Sequence, residues 1–220
     1  MKKFFAIVIA TALILTLYGC GGNDYSDLVS QLRCDVFIGK SEDVEIKAYA
    51  ERREYPLKSD GYANEMRDYI VIKLTFLKPQ NSVITDLSVD FSFSGEHHSA
   101  SLAFSAQADS YVSTVPVKSL PADDFTITVK MGENAENVIL NKVKTDIIPP
   151  EKALDAIVSN KRDLIKNLEE NGSPFEFMIR LIAEGNSYFY YVGIVEAEYT
   201  TALLVSADGK ILAEKRLKNQ

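Results

Sequence analysis

The sequence predicts a mainly β protein: an antiparallel β-sandwich followed by a small α+β module, one helix packed on a four-stranded antiparallel sheet. Three observations predict it. Apolar and polar residues alternate over most of residues 34–147, the period of a half-buried strand. Turn signals recur there about every 8 to 12 residues. From residue 148 a helical spacing of apolar residues takes over, and alternation then returns in four further runs.

The chain opens on MKKFFAIVIATALILTLYGCGG. Lys2 and Lys3 make a basic start, residues 4–17 are uncharged and apolar, and Leu17-Tyr18-Gly19-Cys20 follows. This order resembles a bacterial lipoprotein signal with its lipobox at residues 17–20, and Tyr18 is bulkier than the usual small residue there. In that family a peptidase cuts before the cysteine, which takes diacylglycerol on sulfur and usually a further acyl chain on its new amino group. The resemblance implies a signal peptide over 1–19, lipidation at Cys20, and a protein held by that lipid on the extracytoplasmic face of a bacterial membrane. A transmembrane anchor is the other reading of the same run. Residues 4–17 as a helix reach only about 21 Å, against a hydrocarbon core of roughly 30 Å. Two or three acyl chains anchor firmly, since each buried methylene contributes about 0.8 kcal/mol.

Residues 20–33, rich in Gly, Asn, Asp and Ser at their start, read as a lipidated tether of at most about 45 Å. The 220-residue chain carries 24 basic and 31 acidic residues, a net −7, and loss of the leader removes only Lys2 and Lys3, leaving 22 against 31, or −9. Such a surface repels nucleic acid, so that partner is excluded and the membrane contact falls to the lipid. With 46% hydrophobic residues the chain can bury a sizeable core. Cys34 is left without a disulfide partner once Cys20 is lipidated, and reads either as an inert strand thiol or as a reactive one.

Residues 34–147 then give strand after strand. Val44, Ile46, Ala48 and Ala50 alternate with polar neighbours, as do Ile70, Ile72, Leu74 and Phe76. Leu87, Val89, Phe91 and Phe93 oppose Ser88, Asp90, Ser92 and Ser94. Further strands are expected at Ser99–Ala106, Tyr111–Val117, Phe125–Met131 and Val138–Val143, with turns at Lys78–Asn81, Gly95-Glu96, Leu120-Pro121 and Gly132–Asn137. Seven or eight strands at this spacing read as a sandwich of immunoglobulin-like type, although the cysteine and tryptophan hallmarks are absent. The segment Glu51–Asp68 interrupts the spacing and reads as either a recognition loop around Tyr55 and Tyr62 or a solvated excursion. Its Arg52, Arg53, Lys58 and Arg67 are outnumbered by Glu51, Glu54, Asp60, Glu65 and Asp68, which argues against an anion site.

Pro149-Pro150 cannot continue a ladder and places a boundary near residue 148. Leu154, Ile157, Val158, Leu164, Ile165 and Leu168 then predict one helix, ended by Asn171-Gly172. Strands follow at Phe175–Ala183, Tyr188–Glu196, Tyr199–Ser206 and Lys210–Arg216, with Asp208-Gly209 a two-residue hairpin signal. The opening Glu151–Ala156, the strand Tyr190-Tyr191-Val192 and the hairpin Leu204–Leu212 resemble PepSY-type modules, small extracytoplasmic domains associated with restraining peptidases or regulating envelope processes. This chain departs from them by a longer helix and an additional strand. The topology is equally similar to the cystatin arrangement, without the glycine and glutamine-valine-glycine signatures that would imply protease inhibition. Both are analogies of fold.

No catalytic constellation is evident, and no phosphate loop, dinucleotide fingerprint or cysteine metal pair is present, so no enzyme and no cofactor are expected. The weak candidates are Glu96, His97 and His98, for a metal or a hydrolytic site, although neighbouring strand residues point to opposite faces. Residues 188–195 are apolar on both faces, and only one can meet the helix. Tyr188, Phe189, Tyr190, Tyr191 and Tyr199 are therefore the expected interdomain or partner surface. The resulting expectation is a lipid-anchored cell-envelope protein that binds an envelope protein or peptide as an adaptor or PepSY-like regulator. The alternative is a metal-handling protein or hydrolase at the Glu96-His97-His98 turn.

Overall fold

A computed structural model describes residues 24–58, 60–79, 84–144, 146–185 and 187–219. The leader with Cys20, the first part of the expected tether and two residues of the Lys78–Asn81 turn lie outside them. The molecule is mainly β, with thirteen strands and two α-helices among the described residues. No helix among them is long and apolar enough to cross a membrane.

Strand β1 (Val29–Lys40) starts inside the expected tether, because Val29 pairs with β10 and residues 31–33 find partners on both sides. A short connection leads to β2 (Val44–Glu54), where the Ser41 hydroxyl accepts from the Asp43 and Val44 N–H groups at 3.2 and 3.1 Å. β2 pairs along its whole length with β3 (Met66–Phe76), so the expected excursion shrinks to residues 55–65. Next come β4 (Leu87–Phe93), β5 (Glu96–Ser101), β6 (Ala103–Ser105), β7 (Ser110–Val117), β8 (Phe125–Met131) and β9 (Asn134–Lys142). The single strand expected at Ser99–Ala106 is two. Leu102 turns into the core between them while its N–H bonds Leu87 O at 2.9 Å, so β5 stays with β4 and β6 passes to β7.

These strands form two facing layers, β1-β2-β3-β7-β6 and β5-β4-β8-β9. Ile46, Ala48, Ala50, Ile70, Ile72 and Leu74 from the first meet Leu87, Val89, Phe91, Ile127, Val129 and Leu140 from the second in one buried cluster. β9 also pairs with the C-terminal half of β1, which closes one side and makes the assembly nearly barrel-like. Closure needs a close approach at Gly39, where a Cβ would lie 2.4 Å from Ile139 O.

The predicted single helix is two, α1 (Pro150–Asn160) and α2 (Arg162–Glu170). They meet at Lys161, whose φ of −110° and ψ of 24° depart from helical values although its N–H still bonds Ile157 O at 2.8 Å and its carbonyl accepts from Ile165 at 3.0 Å; its side chain, at the stripe position between Ile157 and Ile165, pairs with Glu214. Ala153, Leu154, Ile157, Ile165 and Leu168 are buried. A meander follows, β10 (Phe175–Glu184), β11 (Ser187–Glu196), β12 (Tyr199–Val205) and β13 (Ile211–Lys218). The Asp208-Gly209 hairpin is longer than two residues, with Ser206 and Lys210 bonding each other across it. Both helices pack on the face of this sheet that carries Phe177, Ile179, Leu181, Tyr190, Val192 and Leu203.

One feature was invisible in the sequence. β10 pairs in parallel with the N-terminal half of β1, from Val29 opposite Phe177 to Arg33 opposite Arg180. Irregularities after Val29 and after Arg33 bracket this stretch, the bulges that let β1 serve β10 first and β9 afterwards. The expected boundary near residue 148 therefore separates strand from helix along the chain, while the sheet runs unbroken from β13 to β6.

Candidate functional site

The continuous sheet sets residues from distant segments side by side. One transverse row runs Leu204, Tyr191, Arg180, Arg33, Glu51, Tyr69 across β12, β11, β10, β1, β2 and β3, each the register partner of the next. The adjacent row runs Ala202, Gly193, Met178, Gln31, Arg53, Arg67. On β10 this face is the one opposite the helix-packed residues Phe177 and Ile179.

Glu51 sits at the centre, fully buried, and holds two arginines. Arg33 donates from Nε and Nη2 to one carboxylate oxygen at 2.9 and 2.7 Å, and Arg53 Nη1 reaches the other at 3.4 Å. Arg180 donates from Nε to the Gln31 side-chain oxygen at 2.6 Å and lies against Met178 sulfur. Each guanidinium rests on a tyrosine: Arg33 on Tyr49 at 4.6 Å, Arg53 on Tyr69 at 4.4 Å and Arg180 on Tyr191 at 5.5 Å from the ring centroid. Burial, and then the neighbouring Arg33 charge, push the Arg180 pKa below its ordinary value. The Arg53 Nε is buried without a hydrogen-bond partner. Three guanidiniums thus lie on one face with a single carboxylate, which binds two of them, in a protein whose net charge is −7.

Of the acids of the 51–68 segment, Glu51 lies on this face and Glu65 pairs with Arg67 in the adjacent row, while Asp68 and Glu54 are engaged elsewhere. Arg52 pairs with Asp68 on the opposite face. Glu54, also fully buried, accepts from Lys58 N–H (2.7 Å), Asn64 N–H (3.1 Å) and Asn64 Nδ2 (2.8 Å), and so clips the ends of the 55–65 loop together. That loop docks on β10 at Gly61, whose φ of +85° and contact with Pro174 O, 2.7 Å from a notional Cβ, leave room only for glycine. Under it lies Glu176, fully buried with neither carboxylate oxygen hydrogen-bonded, its pKa raised to about 8, chiefly by burial and then by the Glu54 charge.

The residues expected to form one aromatic surface are divided by the sheet. Tyr190 is buried under the helices and donates to Ile148 O at 3.0 Å. Tyr188 and Phe189 are half-buried and line a cleft of about 560 Å³ with Ile147 and Ser206. Tyr191 belongs to the arginine face, and Tyr199 carries Arg216 at 4.6 Å near the edge strand. Tyr55 and Tyr62 are exposed on the clipped loop, 53% and 61% accessible.

The β4–β5 hairpin separates the two histidines. His97 Nδ1 lies 3.1 Å from Ser92 Oγ on the solvent face, beside a cleft of about 690 Å³ that also contains Asp90 and Asp124. His98 turns the other way, packs on Phe91 and Phe93 at 5.2 and 5.3 Å, and sits 3.7 Å from Glu96, which pairs with Lys118 at 2.8 Å. Among the described residues no three His, Cys, Asp or Glu side chains converge to hold a metal. Cys34 lies half-buried at the β1 bulge, where burial and then Asp35 push its thiol up to about 11, so it stays protonated at neutral pH.

Sequence reasoning missed Arg33 and Arg180, the first because it lay in an expected tether and the second inside an apolar strand. A usable signal existed for Arg180: a lone cation in Phe175–Ala183 needs a partner or a purpose. No protein family, curated protein or solved structure matches the chain.

Proposed function

We propose that this is a lipid-anchored protein of the bacterial cell envelope that works by binding, as a non-catalytic adaptor or regulator, through the face carrying Tyr191, Arg180, Arg33 and Arg53. The observation that carries it is the half-buried, cation-rich row shared by both parts of the chain, with stacked arginines of the kind that dominate binding surfaces. The lipobox-like run at residues 17–20 supports the anchor on Cys20 and the extracytoplasmic location. The two buried clusters support a sandwich of immunoglobulin-like type over residues 34–147 and an α+β unit of PepSY or cystatin kind over 148–220, joined through β1.

The test uses the full chain in bacterial cells. Fatty-acid label should enter the protein and be lost in Cys20→Ser. A photo-crosslinking residue at Ala202, on the face, should trap an envelope protein or peptide that the same residue at Ser88 does not. Equal trapping at both positions, or none at Ala202, would reject the binding reading.

A second reading, a hydrolase using His97, has the Ser92 to His97 hydrogen bond beside the 690 Å³ cleft in its favour. It requires ester hydrolysis that His97→Ala abolishes. The metal-handling form of that reading requires both histidines on one ion, and their opposite directions oppose it.

A further inference from the structure

We infer that the arginine face is a site for an oxyanion, a phosphate- or carboxylate-bearing group seated among Arg33, Arg53 and Arg180. The inference rests on the reading of that face as the binding surface and names what it would take.

Arg33 and Arg180 are direct register partners on neighbouring strands, an arrangement in which like charges repel. A purely structural use of these positions would place an acid at one of them. The nearest carboxylate, Glu51, is already committed to Arg33 and Arg53, and Arg180 finds only an amide oxygen and a thioether. The free protein therefore holds an electrostatic conflict in place.

What holds it there also prepares it for an anion. Glu51 and Gln31 fix two forks by their Nε atoms, and Tyr49, Tyr69 and Tyr191 fix the planes of all three. Among the described residues Nη1 of Arg33 and Nη1 of Arg180 carry no hydrogen bond, although each guanidinium has five N–H donors. Planar forks with ordered stems bind phosphate and carboxylate with little further ordering. The Arg33 and Arg53 side chains retain 18% and 23% exposure, so the donors can be reached from solvent. Burial of the stems keeps the local dielectric low, which strengthens the attraction. The overall acidity of the protein makes this a local preference, separate from any general affinity for anions.

The test is titration of the purified full chain in neutral detergent with pyrophosphate and, separately, citrate, read by calorimetry and by the unfolding midpoint. Binding with a dissociation constant at or below about 1 mM, weakened by salt and accompanied by a rise in midpoint, is expected for at least one of them. Pyrophosphate alone would identify phosphate as the source, citrate alone carboxylate, and either supports the site. Arg180→Gln should weaken binding about tenfold or more while the unliganded protein stays at least as stable as the parent, since the repulsion with Arg33 is gone. Arg180→Lys, which keeps the charge and loses the fork, should also weaken binding and serves if the glutamine variant folds poorly. Arg52→Gln makes the same change in net charge on the other face and should bind as the parent does. Absence of binding by both anions at 10 mM (about ten times the expected constant), or equal weakening by Arg52→Gln and Arg180→Gln, overturns the inference. Trapping at Ala202 without anion binding would remove the ligand class and leave the binding reading standing.

Discussion

Glu176 shows how a single buried group can set the pH response. Its carboxyl is fully buried beneath the 55–65 loop, with Glu54 and Asp60 nearby, and its pKa stands at about 8 against 4.5 for a free glutamate. Below pH 4.5 folded and unfolded chains are both protonated there, and the favourable burial of the neutral acid is fully present. Between 4.5 and about 8 the unfolded chain ionises first, so stability falls as pH rises, by up to roughly 1.4 kcal/mol per unit. The loss is complete once pH passes the folded value. Glu176→Gln keeps the shape and removes the titration. Urea unfolding at pH 5.5 and 8.5 should show a smaller drop in the variant, with a gain on the order of 1–3 kcal/mol at the higher pH; equal drops in both proteins would refute the assignment. Gly39 makes the opposite kind of demand. A Cβ there meets backbone oxygen 2.4 Å away as well as Leu140 and Val138, so Gly39→Ala should cost about 2 kcal/mol or more in thermal or urea unfolding.

At the scale of elements, loop 55–65 behaves as an attachment of β2 and β3 tied by one side chain. Glu54 accepts three hydrogen bonds, from Lys58 N–H on one carboxylate oxygen and from Asn64 N–H and Nδ2 on the other, so the clip uses both oxygens. Glu54→Ala should cost on the order of 2–3 kcal/mol and open the loop, so trypsin should cut after the exposed Lys58 several-fold faster than in the parent. An unchanged cleavage rate would show that the docking at Gly61 alone holds the loop. Such local elements also mark how far the sequence could be read. Alternation located the strands well, since Val44–Ala50, Ile70–Phe76 and Leu87–Phe93 each commit one face to a core. Pro150 opened the helix as its fixed φ requires. The break falls at Lys161, whose side chain pairs with Glu214 more than fifty residues away, and nothing local announced it. The arginine face was less legible still. Its members lie in four separate strands, and only the parallel register of β1 with β10 sets Arg33 beside Arg180.

For the whole molecule, the question is whether two units joined by one strand unfold together. The sandwich core and the helix-side core are distinct clusters, which alone would permit independence. The connection between them is extensive, however. β1 gives backbone pairs to both β10 and β2, Val36 and Tyr49 belong to the helix-side cluster, and Lys47 Nζ donates to Ala183 O at 3.2 Å. Melting the helix unit would strip β10 from β1 and leave Val36, Tyr49 and the arginine row without their neighbours. Cooperative unfolding follows, because a strand cannot be native on one edge and lose its partner on the other at no cost. Ile157, fully buried in α1 and outside the sandwich core to which Ile72 of β3 belongs, provides the probe. Ile157→Ala should lower stability by about 2–4 kcal/mol. Hydrogen exchange should then show the same loss at the amide of Ile72 in β3 as at that of Leu203 in β12. A loss confined to Leu203, with Ile72 exchanging as in the parent, would mean that the two units fold independently and that the shared β1 only tethers them.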